Sequence, residues 1–207
     1  ALLLSLWASF RTKSAFNKYS KVRVATGLTG AQAAQRLLDG AGIHDVKIVP
    51  HAGMLTDHYN PVTKTLALSQ EVYGVPSISA VGVACNEAGH AIQHAKAYWP
   101  LGLRSMLVRT ANIGSTLGYI VMAVGMMLMY SSGGASGQTV VLVGAVLFSA
   151  VLLFQIVTLP VEFDASARAK ELAVAHGIVL PQEREGMNRV LNAAALTNTS
   201  SLAINGG

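Results

Sequence analysis

Charged residues are scarce in this chain. Only 12% of its 207 residues are Asp, Glu, Lys or Arg, whereas 52% are hydrophobic, and the mean hydropathy is +0.45. So apolar a composition excludes an ordinary soluble domain and indicates a membrane protein. The formal net charge is +5, but no basic run is interleaved with aromatic residues, so we expect no nucleic-acid partner.

Cysteine is nearly absent as well, because Cys85 is the one cysteine in the sequence. A single cysteine excludes an intramolecular disulfide. This fits a reduced compartment that faces the cytosol.

Three stretches contain no charged residue at all: 1–10, 110–130 and 139–161. The last two are each long enough to cross a bilayer, which takes roughly 20 residues, and the short polar segment 131–138 joins them. We therefore predict a transmembrane hairpin over 110–161; the alternative is a buried helical hairpin in a soluble core. The stretch 1–10 is interpreted as the end of a longer first membrane helix, and the alternative is the apolar part of a signal peptide.

The basic residues are distributed unevenly about this hairpin. All 15 Lys and Arg residues lie within 11–109 or 168–189, and none lies in the 131–138 turn. Because positive residues mark the cytoplasmic side of a membrane protein, we place the domain 11–109 and the segment 162–207 in the cytoplasm. The protein is then a multi-pass protein of the cell membrane.

The cytoplasmic segments are predicted to mix helices and strands, from cap residues, hydrophobic periodicity and turn signals. The predicted elements are a helix over 31–38 capped by Thr29, a strand over 46–49 ended by Pro50, a hairpin of 54–58 and 65–68, a helix over 78–96 capped by Ser77 and ended by Trp99-Pro100, and a helical segment over 165–190 with a break at 177–181.

The predicted helix over 78–96 contains Asn86-Glu87-Ala88-Gly89-His90, which differs at one residue from the zinc-peptidase motif His-Glu-x-x-His. In that motif two imidazoles one helical turn apart bind zinc, and the Glu beside them acts as the general base. His90 is therefore a predicted Zn²⁺ ligand and Glu87 the predicted catalytic base. Asn86 stands where the other imidazole would be.

A catalytic zinc site uses three protein ligands and keeps a fourth position open, so a further ligand must come from elsewhere in the chain. His94 continues the series, but a continuous helix separates positions 86 and 94 by ~12 Å, too far for one ion. Glu162 is the better candidate, because it follows the second apolar stretch and so lies on the same side of the membrane as His90. We predict a metal site at Asn86, His90 and Glu162.

Four stretches of the sequence together carry a family resemblance: Leu55–Pro61, Glu87–His94, Leu159–Ser166 and Val190–Leu196. They resemble the YugP-like neutral zinc metallopeptidase family, whose members are gluzincin-type proteases of bacterial membranes. The resemblance implies a zincin-like (minigluzincin) domain, bound zinc, position 86 and His90 as the helix ligands, Glu87 as the base and Glu162 as the third ligand. The chain departs from the family at Asn86 and in the polar tail 197–207, where the family would have a last membrane helix.

Three further features bear on substrate binding. His58 and Tyr59 are candidate hydrogen-bond donors to the oxyanion, with simple packing in the turn as the alternative. Thr65–Ser69 is expected to be an edge strand onto which an extended peptide adds through backbone hydrogen bonds.

We therefore expect an α-helical integral membrane protein with a small α+β zincin-like cytoplasmic domain. Its function would be endoproteolysis of peptide or protein substrates, including membrane proteins, through a zinc-activated water at the cytoplasmic face of a bacterial inner membrane. An oligomer is compatible with the sequence. The expected domains are 1–10 (end of a first membrane helix), 11–109 (cytoplasmic domain), 110–161 (transmembrane hairpin) and 162–207 (cytoplasmic segment with the third ligand).

Asn86 leaves two questions open. With one ligand replaced, this copy is expected to be inactive, and the competing class is a non-catalytic membrane adaptor that binds peptides or partner proteins. The substitution is either engineered to trap an inactive enzyme or natural in a pseudoenzyme. We favour the first, because Glu87 and His90 are both retained.

Overall fold

The computed structural model describes residues 2–132 and 134–201. It is mostly helical with a small three-stranded sheet, as the sequence predicts. In chain order the elements are α1 (Leu2–Tyr19), α2 (Gly30–Gly40), β1 (Lys47–His51), β2 (His58–Asn60), β3 (Thr65–Ser69), α3 (Gln70–Tyr73), α4 (Ile78–Ala95), α5 (Trp99–Ser132), α6 (Ala135–Ala175), a 3-10 turn (Pro181–Glu183) and α7 (Arg184–Ser201).

The chain forms two compact units. Of the described residues, the first unit, which we call the mixed unit, comprises 2–98 and Val161–Asn198, and the second, the hairpin unit, comprises Trp99–Pro160 and 199–201. Helix α6 contributes to both, because its first part lies in the hairpin unit and its residues from Val161 onward lie in the mixed unit.

The hairpin unit contains the two predicted apolar helices. Within the described part of the chain, α5 and α6 are the two helices long and apolar enough to cross a membrane. Small residues let them pack closely: a Cβ atom added at Gly114 would lie 2.7 Å from the carbonyl oxygen of Leu147, and one added at Gly125 would lie 2.6 Å from the amide nitrogen of Val141. Such contacts are typical of helices that associate through small residues.

The mixed unit is built around α4. Every residue of this helix from Ile78 to Gln93 is buried, and Ser77 caps it by accepting a hydrogen bond from the amide of Ala80 at 3.2 Å. Helix α2 packs against it with a stripe of buried apolar residues and is closed at its start by the capping box of Thr29 and Gln32. Both caps agree with the sequence prediction.

The sheet corrects three predictions. Its strand order is β1-β3-β2, so Thr65–Ser69 is the central strand and not the expected edge. Strand β1 continues through Pro50 to His51; an edge position allows this, because an amide nitrogen on the free side needs no partner. The first arm of the predicted hairpin begins at His58 rather than at residue 54, because Gly53 and Leu55 have positive φ values of 103° and 56°.

The ends of α4 and α6 also differ in detail from the sequence prediction. Helix α4 ends at Ala95, and Trp99-Pro100 begins α5 rather than ending α4. Proline suits this place, because the first turn of a helix does not need its amide hydrogen. The predicted break near 177–181 is confirmed between α6 and α7.

Candidate metal centre

Helix α4 and the last part of α6 present the predicted site residues to each other inside the mixed unit. Asn86, Glu87 and His90 on α4 retain only 4%, 7% and 5% of their surface, and Glu162 on α6 retains 1%. Polar groups are costly to bury without partners. Four of them in one place therefore indicate a built site rather than ordinary core.

A glycine allows the two helices to come this close. A Cβ atom at Gly89 would lie 2.6 Å from the carbonyl oxygen of Ala165, which is shorter than any such contact tolerates. Gly89 therefore has a packing role within the motif, because it lets the backbone of α6 approach α4 beside His90.

Two residues four apart on α4 contact two residues four apart on α6, in reverse order along the chain. The hydroxyl of Ser166 donates to Asn86 Oδ1 at 2.8 Å, and one turn away His90 Nε2 lies 3.5 Å from Glu162 Oε2. Residues four apart share one face of a helix. Positions 86 and 90 on one face of α4 therefore lie opposite positions 166 and 162 on one face of α6.

His90 and Glu162 fit a shared zinc ion. Zinc binds imidazole nitrogen and carboxylate oxygen at about 2.0–2.2 Å in tetrahedral geometry, which puts two of its ligand atoms roughly 3.4 Å apart. The separation of His90 Nε2 and Glu162 Oε2, 3.5 Å, matches that value.

Position 86 does not fit. An Asn side chain ends one bond short of where the Nε2 atom of an imidazole would be, and zinc sites use nitrogen, sulfur or carboxylate oxygen in preference to an amide. The Asn86 amide is also engaged, because its Oδ1 accepts from Ser166 and its Nδ2 donates to Glu87 Oε1 at 3.4 Å. Across residues 2–132 and 134–201, accordingly, no three His, Cys, Asp or Glu side chains form a group that could hold a metal.

A buried hydrogen-bond network holds the His90 ring at Nδ1, the nitrogen that faces away from Glu162. His90 Nδ1 lies 3.0 Å from Gln93 Oε1, and Gln93 is fully buried. The amide nitrogen of Gln93 donates to the carbonyl oxygen of Val161 at 2.9 Å and to Asp164 Oδ2 at 2.7 Å. Because these bonds fix Gln93 Oε1 as the acceptor, His90 carries its proton on Nδ1 and presents Nε2 to Glu162, as a metal-binding histidine does.

Arg168 binds the outer end of this hydrogen-bond network. The guanidinium of Arg168 donates to both carboxylate oxygens of Asp164, at 2.6 and 3.1 Å. Its hydrogen bonds lower the pKa of Asp164, although burial opposes them. The carboxylate that orients Gln93 therefore remains ionised at neutral pH.

Glu87 has the electrostatic environment of a general base. Burial raises its pKa to about 7; the nearby His90 lowers it and the nearby Glu162 raises it. A proton acceptor is most effective when its pKa lies near the working pH. This carboxyl group therefore suits proton transfer near neutrality.

The remaining candidate residues lie beside the site. The hydroxyl of Tyr59 is 2.9 Å from His94 Nδ1, and His58 Nδ1 is 2.8 Å from the carbonyl oxygen of Thr56. Tyr59 and His94 line a cleft of about 360 Å³ together with Ala91 and Ala95 of α4. The structure brings Asn86, Glu87, His90 and Glu162 together and places His94 against Tyr59.

Sequence reasoning missed the roles of Gln93, Ser166 and Asp164. A signal for the first was present, since Gln93 lies seven residues after Asn86 and three after His90, on one face of a helix. A signal for the second was the four-residue spacing of Glu162 and Ser166. The partner of each side chain could not be inferred, because it lies on another helix.

Removing the Gln93 side-chain amide should loosen the site. In a protein that carries Asn86→His, we expect Gln93→Leu to weaken zinc binding by about 10–100-fold, the usual effect of removing a group that orients a ligand. Nitrogen NMR of His90 should show a shift away from the Nδ1-protonated form. The control is Gln182→Leu, at an exposed position; unchanged affinity in Gln93→Leu would show that Gln93 only fills space.

Comparison with known proteins identifies the family of this chain. The family model described as "Putative neutral zinc metallopeptidase" matches residues 1–205. A protein of Bacillus subtilis (strain 168) named "Putative membrane protease YugP" is 44% identical over 204 residues, covering 99% of this chain and 88% of the relative. No solved structure matches. With the family model covering nearly all of the sequence, the chain belongs to this neutral zinc metallopeptidase family.

Proposed function

We propose that this chain is a membrane-embedded zinc endopeptidase whose copy here is disabled at Asn86. The observation that carries the proposal is the meeting of His90 Nε2 and Glu162 Oε2 at 3.5 Å, with Gln93 holding the opposite nitrogen of the ring. These contacts support His90 and Glu162 as two of the zinc ligands, with Gln93 orienting the first, and they support Glu87 as the base.

The chemistry divides among the residues as follows. Zinc, when bound by an imidazole at position 86, His90 and Glu162, would polarise the scissile carbonyl and make a water acidic enough to react. Glu87 would then accept the proton of the attacking water at its carboxylate and deliver it to the leaving amine.

In this proposal Asn86 deprives the site of one zinc ligand, whereas the other site residues keep their contacts. Its amide is held by Ser166 and Glu87, so the pocket stays intact with one ligand missing. Stoichiometric zinc binding and cleavage of an unfolded protein by Asn86→His test the proposal. Zinc binding without cleavage of any peptide would favour a non-catalytic adaptor instead.

We further propose that the site faces the cytoplasm. The support is the absence of Lys and Arg from the 131–138 turn, against fifteen elsewhere, in a chain whose α5 and α6 are long and apolar enough to cross a membrane. Substrates would then be peptides or membrane proteins accessible from that side.

Cysteine labelling in intact cells should report this topology. After Cys85→Ala, we expect Ser136→Cys to react with an impermeant thiol reagent and Val62→Cys to be protected until the cells are opened. Both positions are exposed, Val62 to 91%, so accessibility within the fold is matched. Labelling of Val62→Cys alone in intact cells would mean that the orientation is inverted.

A further inference from the structure

Helices α1 and α7 pack against each other within the mixed unit. The Thr12 hydroxyl donates to the carbonyl oxygen of Ala193 at 2.7 Å, and a Cβ atom at Gly186 would lie 2.9 Å from the ring of Tyr19. These contacts hold the two helices side by side and leave a groove along their surface.

The groove combines positive charge with aromatic surface. It has a volume of about 400 Å³ and contains three cationic side chains and no acidic one. Trp7 and Phe10 are 53% and 73% exposed. The lining residues are Trp7, Phe10, Arg11, Ser14, Ala15, Lys18 and Tyr19 of α1, with Arg189, Asn192 and Ala193 of α7.

The cations keep donors available for a ligand. The Arg11 guanidinium carbon lies 5.2 Å from the centre of the Trp7 ring, and the Lys18 ammonium lies 5.5 Å from that of Tyr19. Contacts of this kind orient a cation over a ring face without neutralising it. Arg189 has an acidic partner, Glu185, at 2.9 Å, and among the residues that the structure describes it is the one of the three that does.

The groove also lies at a change of polarity along α1. Residues 1–10 contain no charge, and basic residues begin at Arg11 and continue with Lys13 and Lys18. Trp, Tyr, Lys and Arg concentrate at the boundary between bilayer and water, and basic pockets between helices there bind acidic lipid headgroups.

We propose that the groove between α1 and α7 binds one anionic phospholipid. The phosphate would lie among Arg11, Lys18 and Arg189, with the Ser14 hydroxyl and the Asn192 amide within the same lining, and the acyl chains would lie along Trp7 and Phe10. An anionic peptide would satisfy the cations but not the exposed aromatic rings. The inference rests on the membrane location proposed above and not on proteolysis.

Trp7 provides the assay, because the chain has only one other tryptophan, Trp99. Full-length Trp99→Phe protein in mild detergent would be titrated with short-chain phosphatidylglycerol, with phosphatidylcholine of the same chains, and with inorganic phosphate. We expect a saturable change of Trp7 fluorescence with phosphatidylglycerol alone. Arg11→Gln combined with Lys18→Gln should weaken it about 30-fold, at roughly fivefold for each cation near an anionic headgroup.

The matched control is Lys13→Gln combined with Lys21→Gln, which removes the same charge from positions outside the groove and should leave the affinity unchanged. Equal responses to both lipids, equal loss in both double variants, or full competition by inorganic phosphate would each overturn the proposal. Release of the protein from membranes by alkaline carbonate would refute the membrane location itself, which separates that failure from failure of the lipid site.

Discussion

Replacing Asn86 with His should increase zinc affinity by more than about 100-fold, because losing a group that merely orients a ligand already costs 10–100-fold. The residues around position 86 already have the arrangement that an imidazole and zinc require. His90 Nε2 and Glu162 Oε2 are 3.5 Å apart, and Ser166 Oγ, 2.8 Å from Asn86 Oδ1, lies where it can accept the Nδ1 proton of an imidazole at position 86. Competition with a chelating dye on the purified protein measures the affinity.

The same substitution should create peptidase activity. Asn86→His protein in detergent is expected to cleave an unfolded protein, and a chelator should stop the reaction. Adding Glu87→Gln should reduce turnover by about 10²–10⁴-fold, the usual contribution of a positioned base, while zinc remains bound. This separation follows because Glu87 moves protons and does not hold the metal.

The control for a non-specific gain of metal binding is Asn17→His, which adds an imidazole at an exposed position of α1. It should bind zinc no better than the parent chain. If Asn86→His protein takes up one zinc but cleaves nothing across a broad peptide library, the enzyme proposal loses its support and the adaptor leads.

Local features of this fold could be predicted from the sequence, because their determinants are close together in the chain. Thr29 and Ser77 cap helices through neighbours three residues away, and the uncharged stretches 110–130 and 139–161 lie in α5 and α6. The distribution of charge and the four-residue motif spacing likewise need no knowledge of tertiary structure.

Features that depend on non-local pairing could not be predicted in the same way. The central place of Thr65–Ser69 follows from its parallel pairing with β1 as well as its antiparallel pairing with β2, and only the second was visible as a hairpin. The continuation of β1 through Pro50 depends on the same pairing. The short strands therefore gave errors of position in the sheet, whereas the long helices differ from the prediction at their ends.

The candidate site shows the same division. His90 and Glu87 follow from one helical motif, and Glu162 followed from the expected side of the membrane. The link from Gln93 to Asp164 spans 71 residues, so no local pattern contains it. Such a link appears only when α4 and α6 are packed at Gly89.

Glu162→Gln in a protein carrying Asn86→His should lose most of its bound zinc, whereas His94→Ala should keep it. Glutamine preserves the shape of this buried side chain but replaces a carboxylate ligand by an amide, so we expect affinity to fall by more than about 100-fold. His94 contacts the Tyr59 hydroxyl at 2.9 Å. Losing that bond should cost about 1 kcal/mol of folding stability and change zinc affinity by less than about threefold.

Glu171→Gln is the matched control, because it makes the same exchange at an exposed position of the same helix and should leave zinc binding unchanged. Cobalt substitution adds a readout independent of activity, since the absorption of cobalt changes with the number and kind of its ligands. Loss of zinc from His94→Ala together with retention by Glu162→Gln would place the third ligand on α4. That result would require α4 to bend at Gly89, because a straight helix cannot bring positions 86, 90 and 94 to one ion.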